Sequence, residues 1–159
     1  MTNCKVVDRY LNIPQGQIFA RQWEPNSQDR LPPIVLFHDS LGCVELWRNF
    51  PAELSTATGR KVVAYDRLGF GRSDARVDGP ELDFGHSVGG GMAVNCAAEF
   101  VGDCEALITE SAQAFPEDRT LQSIAAAKEQ FKDMRQVERL KKYHGEKARW
   151  VLDAWTDTW

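Results

Sequence analysis

The stretch of this chain best equipped for chemistry is Gly85-His86-Ser87-Val88-Gly89. A serine set between glycines, running straight into the small apolar segment Gly90 to Ala98, has the form of a nucleophile on a sharp strand-to-helix turn. The chemistry would be covalent: Ser87 Oγ attacks an electrophilic carbon. The N-terminus of the following helix then offers its free N–H groups to the negative charge that develops. Gly85 and Gly89 leave room for strand and helix to approach where a Cβ would collide. The pattern is short enough to recur by chance, and a plain glycine-rich helix start is the alternative. The elements that must hold it therefore decide.

Those elements read as alternating strand and helix. Val6 to Ile13 and Gln17 to Trp23 are extended segments, with Pro14-Gln15-Gly16 as a hairpin turn and Glu24-Pro25-Asn26-Ser27 as a polar loop. Ile34-Val35-Leu36-Phe37 is a continuous apolar run, as in a strand buried on both faces of a parallel sheet. After His38-Asp39-Ser40-Leu41-Gly42, the residues Trp47, Phe50, Leu54 and Ala57 recur at helical spacing, and Gly59 stops the helix. Lys61 to Tyr65 is a second buried strand, so strand, helix and strand form a βαβ unit. Asp66 to Asp74 is a glycine-rich loop that lacks the third glycine of a dinucleotide cradle and opens no helix. The elbow helix is apolar almost all round, which predicts a buried helix with Cys96 as a small core residue. Ala106-Leu107-Ile108-Thr109 reads as a third parallel strand. Leu121, Ile124, Ala127, Phe131, Met134, Val137 and Leu140 make one helical stripe ended at Gly145, and Ala148, Val151, Leu152, Trp155 and Trp159 make another.

Composition narrows the function. The 159 residues carry a formal net charge of −4 with no basic stripe, which argues against a nucleic-acid partner. No apolar run reaches membrane-spanning length and no signal peptide is visible, so the chain is expected in the cytoplasm. Cys4, Cys43, Cys96 and Cys104 show no C-x-x-C spacing, so reduced thiols are expected, with no metal and no cofactor.

Three stretches, in this order, resemble the α/β-hydrolase family: Ile34-Val35-Leu36-Phe37-His38, Tyr65-Asp66-Arg67-Leu68-Gly69-Phe70-Gly71-Arg72-Ser73-Asp74 and Phe84-Gly85-His86-Ser87-Val88-Gly89-Gly90. The glycine loop together with the elbow is far more specific than either alone, and the match covers about two-thirds of the chain. The resemblance implies a partial α/β-hydrolase fold: a mostly parallel sheet with flanking helices over 1–115, and the start of a helical cap over 116–159. Ser87 would be the nucleophile. The N–H of Val88, with one from Ser40 or Leu41, would form the oxyanion hole. His38, His86 and Glu110 would line the substrate site. Many members carry His-Gly where this chain has His38-Asp39, and a carboxylate there is useful only if it braces the turn.

The triad is the departure. In the family an acid and then a histidine follow the serine, and in this chain His144 alone follows, at the end of a helix. The ordinary role of such a histidine is to meet the free carbonyls of its own helix end, which leaves the base unassigned. Between Asp74 and Leu82 stand only seven residues, too few for a helical crossover. Leu82-Asp83-Phe84 would then span roughly 10 Å at about 3.3 Å per residue. The chain therefore reads as shortened ahead of the elbow and at its end. Two functions follow. One is a carboxylesterase-like serine hydrolase acting on a small ester or related acyl substrate. The other is a catalytically impaired hydrolase fragment that self-associates into a homo-oligomer, with Trp150, Trp155 and Trp159 either packing the cap or forming the association surface.

Overall fold

The computed structural model describes residues 4–26, 31–76, 88–109 and 117–157. They fall into two compact units. One contains 4–26, 31–38 and 42–76, the other 39–41, 88–109 and 117–157.

The first unit is a four-stranded sheet with one helix. β1 (Cys4–Ile13) and β2 (Gly16–Pro25) form an antiparallel hairpin closed by Pro14-Gln15. The loop expected at Glu24-Pro25 is instead the end of β2, where Pro25 faces Cys4 at the last position of the ladder. A proline is tolerated there because no further ladder bond needs its missing N–H. β3 (Ile34–Leu36) and β4 (Val62–Tyr65) are the two apolar runs of the sequence, and they pair in parallel, but β3 is not buried on both faces, since Val35 is 46% exposed. β4 also pairs antiparallel with β2, giving the order β1-β2-β4-β3. Two of the three pairings are therefore antiparallel, which corrects the mostly parallel sheet. An apolar β-branched run reports a strand, but it encodes neither what covers each face nor the direction of the neighbouring strand.

A 3₁₀ turn at Val44–Trp47 precedes α1 (Phe50–Thr58). α1 takes Pro51 in its first turn, where the missing N–H costs nothing, and ends on Gly59 at φ +65°. Leu54, Ala52 and Trp47 pack on a core of Phe19, Trp23, Val44, Val62 and Ala64. Each large side chain of that core contributes about 1.5–3 kcal/mol through burial. Ser55, also buried on α1, places its Oγ 3.1 Å from the Trp23 carbonyl and 2.9 Å from that of Arg60.

The loop after β4 is the best-tied segment of this unit. Asp66 is buried, and its carboxylate accepts the N–H of Val44 at 2.6 Å and of Arg72 at 2.8 Å. Ser73 Oγ donates to the Asp66 carbonyl at 2.5 Å and accepts the Phe19 N–H at 2.8 Å. Asp74 closes the loop by accepting the Gln17 N–H at 2.8 Å. Outside it, Arg21 and Arg72 bridge Asp8 and Glu45 in a closed set of ion pairs, and both guanidinium groups lie over the Phe19 ring. The Arg21 hydrogen bond is the main cause that holds the Asp8 carboxyl below its usual range.

Cys43 sits beneath this loop. Burial first, and the Asp66 carboxylate second, push its thiol up to about 11. At pH 7 its thiolate fraction is then on the order of 10⁻⁴, whereas Cys96 and Cys104 are exposed. A thiol-exchange reagent at pH 7 is expected to titrate Cys96 and Cys104 within minutes. Cys43 should react only once denaturant is added, so Cys43→Ala should leave the native titre unchanged. Rapid modification of Cys43 in the folded protein would contradict this.

The second unit is helical. α2 (Val88–Glu99) follows the elbow serine in sequence. The expectation of a buried helix is corrected: Val94 is 45% exposed, and Cys96 is on the surface rather than in a core. An apolar circumference states what a helix can bury, and among the described residues of α2 only Gly89 is buried. The strand expected at Ala106 to Thr109 is irregular, with Ile108 91% exposed. Four residues make a strand only against a hydrogen-bonding neighbour, and none of the four described strands pairs with them.

The stripe from Leu121 to Leu140 is two helices rather than one, α3 (Asp118–Gln130) and α4 (Met134–His144). The break comes from Asp133, whose side chain accepts the Arg135 N–H at 3.0 Å and so caps a new helix. Gly145, at φ +59°, opens a short 3₁₀ turn that leads to α5 (Ala148–Thr156). Ile124, Val137, Ala148, Val151 and Leu152 are the buried apolar residues of these three helices. Lys128 of α3 pairs with Asp157, just beyond α5. Among the described residues no helix is long and apolar enough to cross a membrane.

Candidate active site

Of the residues singled out for chemistry, Ser87, His86 and Glu110 lie outside the described residues. Val88 is the first described residue of α2. Asp39, Ser40 and Leu41 form a tight turn that belongs to the same unit as α2.

That turn is braced on both sides of Leu41. The Asp39 carboxylate accepts the Leu41 N–H at 3.1 Å, which is the bracing role that makes a carboxylate acceptable at this position. The Leu41 carbonyl meets His144 Nε2 at 3.1 Å. A carbonyl oxygen only accepts, so Nε2 carries the proton in this contact. Both amide groups of Leu41 are thus engaged, and its N–H is taken by Asp39. The Ser40 N–H is the other candidate donor in this turn.

His144 is 1% exposed. Its expected partners were the carbonyls at the end of its own helix; instead its ring reaches a carbonyl 103 residues earlier in the chain. The burial of the ring, though not its partner, was legible in the spacing. His144 lies seven residues past buried Val137, which places both on one face of α4.

His38 belongs to the sheet unit and is 3% exposed. Its Nε2 accepts the backbone N–H of Arg67 at 3.2 Å. The ring lies 5.2 Å from that of Phe70, and the Arg67 guanidinium sits 4.1 Å from the Phe70 centroid. His38 therefore joins the end of β3 to the start of the loop after β4. The glycine loop itself has a structural task that the sequence left unassigned. Its Asp66, Gly71, Ser73 and Asp74 tie β4 to β2 and to the turn at Val44.

With this arrangement in place, comparison with solved structures identifies the fold. A probable hydrolytic enzyme from Pseudomonas aeruginosa PAO1 superposes over 97% of this chain and 64% of its own, with a TM-score of 0.60 and 17% identity. A candidate lipase from Acinetobacter baumannii AYE matches over 99% and 62%, with a TM-score of 0.58 and 15% identity. The thioesterase domain from the curacin biosynthetic pathway matches over 77% and 52%, with a TM-score of 0.51 and 19% identity. The fold is that of the α/β-hydrolases. The chain spans between 52% and 64% of the length of these structures. No protein-family model and no curated protein matches the sequence.

Proposed function

We propose that this chain is a serine hydrolase acting on a small ester or related acyl substrate, with Ser87 as its nucleophile. The observation that supports the reading is the hydrolase fold, with the helix α2 following Ser87 in sequence. Ser87 Oγ forms the bond to the acyl carbon and gives its proton to a base. The carbonyl oxygen takes the electron pair and is met by the N–H groups of Val88 and Ser40. The leaving group departs as an alcohol or thiol once protonated, and water releases the acyl group. His144 Nε2 is engaged by the Leu41 carbonyl, so the base is a different group. His86 and Glu110 are assigned to the substrate side of the site. No cofactor takes part in this scheme.

A second reading has its own observation. Phe100, Val101 and Ile108 are all exposed apolar side chains in one stretch, and such a patch favours association of copies of the chain. In that case the polypeptide is a self-associating hydrolase fragment with little turnover.

One experiment separates the two. A fluorophosphonate probe is expected to label the wild type on Ser87, and Ser87→Ala should abolish the labelling. Without an assigned base, turnover of an activated ester should be slow, near the level of about 10³–10⁴-fold over water left when a triad member is missing. Absence of labelling in the wild type, with a multimeric mass by light scattering, would favour the second reading.

A further inference from the structure

We infer that His144 is a positioning residue for the oxyanion turn, acting through the Leu41 carbonyl. The inference rests on the reading of Ser40 N–H as an oxyanion donor. The observations are the two braces. The Asp39 carboxylate holds the N–H of Leu41 at 3.1 Å, and His144 Nε2 holds its carbonyl at 3.1 Å. The peptide unit is planar, so fixing the carbonyl of Leu41 fixes the orientation of the whole Leu41–Gly42 plane. Fixing its N–H does the same for the plane that joins Ser40 to Leu41. These two planes set the dihedrals of Leu41, and the Asp39 carboxylate, bonded to the Leu41 N–H, closes a ring that contains Ser40, so the dihedrals of Ser40 lose much of their freedom and its own N–H keeps one direction. Oxyanion stabilisation depends on donors already aimed at the developing charge.

His144 suits the task because its ring is buried and its backbone closes α4, a helix whose face is anchored at Val137. A buried donor on a packed helix presents one position, whereas a surface donor would present many. The contact also makes the helical segment part of the site without placing any of its residues on the substrate.

The test uses two variants at one position and one at the other brace. His144→Gln keeps an N–H donor at nearly the same reach, and His144→Leu keeps the bulk without the donor. The first readout is the Leu41 carbonyl ¹³C shift by NMR, which reports the hydrogen bond directly. The second is fluorophosphonate labelling of Ser87, resolved into probe affinity and maximal rate. In His144→Leu the carbonyl shift should move and the maximal rate should fall about 10–100-fold, with probe affinity nearly unchanged. His144→Gln should restore both. Asp39→Ala should slow the maximal rate in the same way, and it decides the matter if His144→Leu does not fold. An unchanged labelling rate in a folded His144→Leu or in Asp39→Ala would overturn the inference while leaving Ser87 as nucleophile. Equal loss in the Gln and Leu variants would also overturn it, because a general base is not replaced by an amide. If the wild type itself is not labelled, the reading of Ser87 fails and takes the catalytic role of the brace with it, even where the Leu41 carbonyl shift shows the bond to be present.

Discussion

Gly71→Ala is expected to remove most of the stability of the sheet unit. A Cβ added at Gly71 would stand 2.0 Å from Asp66 Oδ2 and 2.3 Å from Asp66 Cγ, far inside contact distance. The carboxylate has nowhere to go. It is 1% exposed and held by the N–H groups of Val44 and Arg72. Gly71 also sits at φ +44°, where an L side chain costs about 1–2 kcal/mol before any clash. Displacing a buried, hydrogen-bonded carboxylate adds about 3 kcal/mol or more. The total, about 4–5 kcal/mol, is comparable to the whole stability of a small domain. Urea unfolding followed by tryptophan fluorescence measures it, since Trp23 lies in the core of that unit. A midpoint shift worth less than about 1 kcal/mol would show that the loop relaxes around the new methyl group.

The same residues show where the sequence was legible. The elements whose signals are local came through. Ile34 to Leu36 and Val62 to Tyr65 are strands because β-branched apolar runs suit a covered pleated surface, and α1 ends at Gly59 because only glycine takes that φ at little cost. The hairpin turn at Pro14-Gln15 was equally plain. What failed was whatever depends on the neighbour. The direction of β2 beside β4, the exposure of α2 and the lack of a strand at Ala106 to Thr109 are facts about partners, and periodicity contains no partner. The stripe through Phe131 and Met134 kept its spacing across a break, so the cap at Asp133 was hidden by the apolar pattern around it. In the site, the brace at Asp39 is a turn of near neighbours and could be foreseen, whereas the bond from His144 closes a loop of 103 residues and could not. The motif Asp66 to Asp74 was useful as a mark of resemblance, yet its physical content is the set of bonds from Asp66, Ser73 and Asp74, and those appear only in the fold.

Replacing Asp66 is the second large effect, and it also explains the first. In Asp66→Ala the N–H groups of Val44 and Arg72 lose their acceptor. Each buried donor left unpaired costs about 1–3 kcal/mol, so the loss should come to about 3–5 kcal/mol. Asp66→Asn keeps the shape but offers one oxygen and one NH₂ to two donors. One of those N–H groups then faces another N–H, and a loss of about 2–3 kcal/mol is expected. Both should fall on the unit that contains β1 to β4, because Val44 and Arg72, whose N–H groups the Asp66 carboxylate accepts, lie within it. The decisive measurement is the double variant. If the damage at Gly71 is a collision with the Asp66 carboxylate, removing that carboxylate first makes the added methyl group cheap. Asp66→Ala combined with Gly71→Ala should then be about 2 kcal/mol or more less damaging than the two single losses added together, a coupling at the upper end of those found between residues in contact. Strict additivity in urea unfolding would separate the two effects and leave the cost at Gly71 to its backbone angle alone.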